Sequence, residues 1–238
     1  MTQPATSPTD PVPHQDAELA DASAPSPAPQ VGAAEFAAFL AARMCHDYIS
    51  PAGAIVSGLD LLEDPSAQDM RAEAMELIAA SAKKLVAALS FDRVAFGSSA
   101  SAESFDPRQL ETLTRDVFAH VRADVDWSVE ATVLNKPAAR TLLNLAQIGA
   151  GVLPMGGLAR VTARQEGEQL VVAVRATGPR VRMRPEVLSG LSGQALGEGL
   201  GGHWVQAYYL RLIVDGAGGS LEVAAGDVDV CVTARLPL

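Results

Sequence analysis

The sequence predicts an α+β chain in which an N-terminal helical hairpin, dimerising into a four-helix bundle, is followed by an α/β sandwich. Three observations predict it. Apolar residues recur at three- and four-residue steps over residues 33–96, with one break at Glu63-Asp64-Pro65-Ser66. A small, polar stretch, Gly97-Ser98-Ser99-Ala100-Ser101-Ala102, follows that pattern. Beyond it, segments of alternating apolar residues are interleaved with helical ones, which fits helices packed on one face of a mostly antiparallel sheet.

Residues 1–32 hold seven of the fifteen prolines and four acidic residues with almost nothing apolar to bury, so they are expected to be a disordered tail. In the hairpin, residues 33–96, Phe36, Leu40, Met44, Tyr48, Ala52, Ile55, Leu59 and Leu62 read as one buried stripe. Met70, Ala74, Leu77, Ser81, Leu85 and Ala88 read as a second, on a helix beginning after Ser66. Two helices with one stripe each leave the flanks of those stripes wet, and pairing two hairpins covers them; hence the expected homodimer.

Residues 97–104 are assigned to a linker and 105–238 to the second domain. Asp106-Pro107 opens a helix to about Arg122, with proline in the first turn. Residues 126–132 read as a strand, and 136–153 as an apolar helix ended by Pro154-Met155-Gly156-Gly157. Residues 158–165 and 169–176 form strands about the turn Glu166-Gly167-Glu168. A loop rich in Pro and Gly covers 178–202, with room for a short helix at 185–191. A helix over 203–216 leads into closing strands at 220–225 and 228–236 joined at Gly226-Asp227.

A net charge of −10 with no basic run argues against nucleic acid or an anionic membrane as partner. Cys45 and Cys231 make no disulfide framework and suit a reducing cytoplasm. The N-terminus has no signal-peptide pattern, and the longest apolar stretch, 142–153, carries Asn144 and Gln147 and is too short to span a bilayer.

Pro51 lies inside the first helical pattern, five residues after His46 in the run His46-Asp47-Tyr48-Ile49-Ser50-Pro51. Its ring removes an N–H and crowds the Asp47 carbonyl, a cost of about 3 kcal/mol that something must offset. His46 lies two residues, about 200°, from Met44 and so points outward. Its neighbours on that face are Ala42, Arg43, Ser50 and Gly53, with Phe39 a turn further off. Adjacent Cys45 and His46 diverge by about 100°, and no other Cys/His cluster completes a metal site.

This run resembles the way dimeric histidine kinases and their relatives present the imidazole that carries a phosphoryl group. The resemblance makes His46 the phosphorylated residue. Asp47 would orient the ring through Nδ1, leaving Nε2 as nucleophile; Arg43 would stand where phosphate oxygens come, with Ser50 beside it. The small side chains would admit another protein, giving a docking surface at Phe39, Ala42 and Gly53.

Residues 105–238 are similar to the ATP-binding domain of the same kinases, with two departures. Asn144-Leu145-Ala146-Gln147-Ile148-Gly149-Ala150 lies where the family carries two asparagines four apart, and Ile148 takes the second position. Ala176-Thr177-Gly178-Pro179 lies where the family has an adenine-binding aspartate, and Ala176 takes its place. Gly197-Glu198-Gly199-Leu200-Gly201-Gly202 keeps the glycine pattern of the nucleotide lid. An intact histidine helix joined to a decayed ATP domain resembles the alphaproteobacterial histidine phosphotransferases.

That resemblance implies a relay in which His46 takes a phosphoryl group from the receiver domain of a hybrid histidine kinase and passes it to the receiver domains of cell-cycle response regulators. No cofactor would be bound by this chain, Mg²⁺ being supplied by the receiver. Other readings are a working ATP-dependent kinase core, disfavoured by Ile148 and Ala176, a noncatalytic inhibitor docking on kinases or receivers, and a response-regulator phosphatase using Ser50 or Asp47.

Overall fold

A single 31-residue helix, α1 (Ala33–Glu63), carries Pro51 without interruption in the computed structural model, which describes residues 31–97, 103–197, 201–226 and 228–238. A 3-10 segment (Pro65–Met70), entered through the Asp64 carboxylate accepting from the Ser66 N–H at 2.8 Å, turns the chain into α2 (Arg71–Ala95). Then follow β1 (Ser104–Phe105), α3 (Pro107–Phe118), β2 (Ala123–Val129), β3 (Leu134–Asn135), α4 (Lys136–Gly151), β4 (Gly157–Glu166), β5 (Gln169–Thr177), α5 (Pro185–Leu191), α6 (Gly201–Gly216), β6 (Ser220–Ala225) and β7 (Asp229–Pro237). The expected tail lies outside the described residues except for Val31, which packs beside Trp204, and Gly32, whose carbonyl accepts the Phe36 N–H at 2.9 Å. Most of the expected linker is also outside them; Ser104 belongs to β1, paired with Asn135 of β3.

The structure separates two seams that periodicity alone ran together. Pro51 and Gly58 are buried against α2, and at Gly58 an added Cβ would lie 2.6 Å from Ile78 Cγ1, so a side chain there would push the helices apart. Tyr48, Ile55 and Leu62 share that stripe by steps of three and four and are half-buried. One residue further round, Ile49, Val56 and Leu59 are exposed, as are Met75, Val86 and Leu89 on α2. Of the expected second stripe, Met70 and Leu77 are exposed too, whereas Ala74 and Ser81 are buried and make the inner seam. Phe36 and Leu40 serve neither seam and pack on α6.

Across the inner seam the Tyr48 hydroxyl donates to Asp92 Oδ2 at 2.8 Å, pinning the C-terminal end of α2 to the middle of α1. Asp92 is 5% exposed. Burial pushes its carboxyl up to about 6, against the opposing pull of the Tyr48 hydroxyl and the Arg43 charge. Burial, then the hydrogen bond to Asp92, likewise raise the Tyr48 hydroxyl above its usual range.

The sheet runs β2-β4-β5-β7-β6, antiparallel apart from the β2–β4 pair. Alternation decides its faces. Ala159, Val161 and Ala163 of β4, Val172, Val174 and Ala176 of β5, and Val230, Val232 and Ala234 of β7 enter one core with Leu142, Leu145 and Ala146 of α4. Parallel pairing aligns Ala123 with Gly157 and Val129 with Ala163, so β2 begins three residues before the expected strand. Its Asp124, Asp126 and Ser128 take the solvent side, and the strand ends at Val129 rather than at the expected Thr132. The helix before it stops at Phe118, short of the expected Arg122, as the Ala119 N–H turns back to the Arg115 and Val117 carbonyls.

Two predictions follow from this packing. At Gly190 an added Cβ would meet the Trp204 carbonyl oxygen at 2.7 Å and the Tyr208 nitrogen at 2.8 Å, backbone atoms that cannot rotate away. Gly190→Ala is expected to lower stability by about 1–3 kcal/mol, read as a fall in urea midpoint at unchanged slope. Asp92, with a folded-state pKa of about 6 against 3.8 when exposed, binds its proton more tightly in the fold than out of it. The native state is therefore progressively weakened as pH rises through that window, by on the order of 3 kcal/mol, and the penalty is complete above it. Asp92→Asn should flatten this slope, measured as urea midpoints at a series of pH values.

Candidate functional site

His46 stands on the fourth turn of α1 with 87% of its side chain exposed. Its Nδ1 lies 3.2 Å from Asp47 Oδ1, so a proton on Nδ1 is donated to the carboxylate and Nε2 keeps its lone pair free. The ring stands at the edge of an open cleft of 410 Å³. Arg43, Asp47 and Ser50 of α1 line one wall, Lys84, Ala88 and Asp92 of α2 another, and His120 and Gln147 reach in from the second domain. Ala42, Ser50 and Gly53 are exposed, and nothing lies within 4 Å of a Cβ built on Gly53. The open apron expected beside His46 is present at these positions.

Two of the expected site residues stand elsewhere. Phe39 is not part of an open docking face: its ring packs edge-on against Trp204, centroids 5.9 Å apart at 70°. Gly201 allows this approach, since an added Cβ there would lie 3.0 Å from the Phe39 ring. The part of the glycine pattern that is described thus seats an aromatic ring of α1, while residues 198–200 lie outside the described residues. Arg43 lines the cleft, but its side chain is only 13% exposed and is not poised for phosphate. Its Nη1 donates to the Gly202 carbonyl at 2.7 Å and its Nε lies 3.6 Å from Asp47 Oδ2. Burial lowers the Arg43 pKa, with the Asp47 and Asp92 charges acting in opposition.

Two residues on the α2 side of the cleft carry no signal in the sequence: Lys84 lines the wall opposite His46, and Asp92 closes the floor. Only the register of α2 on α1 reveals them. His203 of α6 lies near Arg43 and Arg184 in the neighbouring cavity; burial, then those two cations, lower its pKa.

The segment corresponding to the kinases' nucleotide pocket is committed to packing. Asn144 is fully buried, and its amide donates to the Arg140 carbonyl at 2.9 Å and to the Ala95 carbonyl at 3.2 Å, stapling α4 to the end of α2. Gln206 of α6 donates to Asn144 Oδ1 at 3.5 Å and to Gln147 Oε1. Ile148 and Ala176 are buried in the hydrophobic core. A cavity of 190 Å³ lies where α4, α5 and α6 meet Arg43 of α1, Phe91 of α2 and Phe118 of α3. Pockets for drug-sized ligands span roughly 300–1,000 Å³. Among the described residues no group of three or more His, Cys, Asp or Glu side chains could hold a metal, and no helix is long and apolar enough to cross a membrane.

Comparison with known proteins accords with this geometry. Residues 107–229 match the family described as the histidine phosphotransferase C-terminal domain. Protein phosphotransferase ChpT of Brucella abortus (strain 2308) is 34% identical over 210 residues, covering 86% of this chain and 97% of that protein. A bacterial phosphotransferase solved at 1.7 Å superposes with a TM-score of 0.77 at 32% identity, over 87% of this chain and 98% of that one. The catalytic domain of the histidine kinase ThkA superposes with a TM-score of 0.45 at 16% identity, over 56% of this chain and 93% of that one. The chain belongs to the histidine phosphotransferase family, and it is a phosphotransferase.

Proposed function

We propose that this phosphotransferase is a homodimeric relay protein that carries the phosphoryl group on Nε2 of His46. The observation that carries the reading is the exposed imidazole with Nδ1 against Asp47 and its other nitrogen free at the edge of an open cleft. The lone pair of Nε2 attacks the phosphorus of an aspartyl phosphate on the receiver domain of a hybrid histidine kinase. The bond to the aspartate oxygen breaks, and the carboxylate leaves with its electron pair. Asp47 stabilises the cationic phosphoimidazole through Nδ1–H, and transfer to the aspartate of a response-regulator receiver runs the same step in reverse. Such transfers pass through a loose transition state, so a rigid helix that positions the ring supplies most of what this chain must contribute. Mg²⁺ comes with the receiver. On the family resemblance the regulators served are those of the cell cycle, in the cytoplasm.

Committed packing at Asn144 and apolar burial at Ile148 and Ala176 support a relay without ATP-dependent autophosphorylation. The exposed seam supports the dimer. Ile49 is 69% and Val86 62% exposed, and the seam repeats at Cys45, Ile49, Ala52, Val56 and Leu59 on α1 and at Met75, Ala79, Ala82, Val86 and Leu89 on α2, in steps of four and three. Two such faces make the core of a four-helix bundle.

Incubation with a phosphorylated receiver domain should yield acid-labile phosphohistidine on the wild-type chain and none on His46→Ala; label on the alanine variant overturns the reading. Gly53→Trp, which meets no neighbour within the protomer, should slow transfer about a hundredfold by blocking approach while leaving the fold intact. Ile49→Glu with Val86→Glu is expected to sediment as a monomer.

A further inference from the structure

Arg43 occupies a position that the transfer chemistry leaves without a task. Its guanidinium is nearly enclosed: it contacts Asp47 on α1 and the Gly202 carbonyl on α6, and Asp92 on α2 and His203 on α6 lie within its electrostatic reach. The contact with Asp47 divides that carboxylate between two neighbours. Oδ1 faces His46 Nδ1 at 3.2 Å and Oδ2 faces Arg43 Nε at 3.6 Å. An aspartate on a helix surface can otherwise turn about two side-chain torsions, and each turn would carry its hydrogen-bonding oxygen away from the imidazole. Engagement of both oxygens removes that freedom.

The guanidinium is itself anchored on main chain rather than on another mobile side chain. Gly202 sits at the first turn of α6, where Phe39 and Trp204 lock α6 onto α1. A continuous path therefore runs from the backbone of the second domain through Arg43 and Asp47 to the ring that reacts. A phosphoryl group drawing on Nη1 or Nε of Arg43 would compete with the Gly202 carbonyl and the Asp47 carboxylate that they already face.

We propose that Arg43 is a positioning residue: it fixes the Asp47 carboxylate, which in turn fixes the tautomer and orientation of His46, so that the second domain acts on phosphotransfer through a hydrogen bond to the Gly202 carbonyl. The inference rests on the relay reading.

The test combines rates with a measurement that needs no partner. In wild-type protein the ¹⁵N spectrum of the His46 ring should show the proton held on Nδ1, whereas Arg43→Met and Asp47→Asn should both move the population toward the other tautomer. In transfer from a phosphorylated receiver, Arg43→Met should lower kcat about tenfold to a hundredfold with little change in KM. Because both residues act along one path, Arg43→Met joined to Asp47→Asn should be no slower than Asp47→Asn alone. Arg43→Lys keeps the charge but cannot span the carbonyl and the carboxylate together, and should show a smaller loss in the same direction. A wild-type tautomer and kcat in Arg43→Met overturns the proposal, as does a loss that multiplies fully with that of Asp47→Asn, or a rise in KM at constant kcat, which would make Arg43 a contact for partner or phosphate. Should Arg43→Met fail to fold, wild-type tautomer and rate in Arg43→Lys overturns it equally. Transfer that persists in His46→Ala refutes the relay reading instead, and the tautomer measurement still decides the role of Arg43.

Discussion

Ring packing between the start of α1 and the start of α6 is the contact on which the rest of this molecule depends. Trp204 and Tyr208 stack with centroids 4.5 Å apart, and Phe36 and Phe39 close on them at 5.9 Å each. Such pairs contribute about 0.5–1.5 kcal/mol apiece beyond the apolar area they bury. Their placement matters more than their sum. Because the clasp grips α1 as far as Phe39 and Leu40, the next turns emerge at the lip of the second domain, with Arg43 still covered and His46 fully out. The boundary between packed and exposed surface falls within one helical turn.

The same clasp gives the second domain a mechanical role. Sensor kinases need a nucleotide-binding domain free to approach its histidine. Here α6 is held against the histidine helix by aromatic rings, α4 against α2 by the Asn144 amide, and α2 against α1 by the Tyr48–Asp92 hydrogen bond. Each tie joins a different pair of helices, so the hairpin and the sheet form one frame around the cleft. Rigidity suits a loose transition state, in which alignment is the main thing a protein can add.

Much of this was legible in the sequence where local chemistry decides. The helix stop at Asp64-Pro65, the proline-led start at Pro107, the strand alternation flanking Gly167 and the outward angle of His46 each follow from a few neighbouring residues, and the structure carries all of them. Legibility failed where the answer lies in another element. Phe39 and Arg43 share a face with His46 on a bare helix, and only the arrival of α6 covers them. The two hairpin seams are one residue apart, so a pattern of threes and fours accepts members of both; the close approach at Gly58 separates them. Lys84 and Asp92 join the site through hairpin register, which no spacing within α2 encodes. The strand expected over 126–132 lies over 123–129, because its bounds are set by parallel pairing with β4 rather than by its own alternation.

The burial of Ala176 has a consequence for any change of residue there. Its methyl group is wholly enclosed between β4 and β7, opposite Ala159 and Val230, and Ile148 lies in the same core. A carboxylate placed at 176 would enter this apolar core, at a desolvation penalty of several kcal/mol. An asparagine placed at 148 would bring polar atoms into hydrocarbon while Asn144 is already occupied by the ends of two helices. Single substitutions toward the kinase pattern at these two positions therefore each meet a packing cost first.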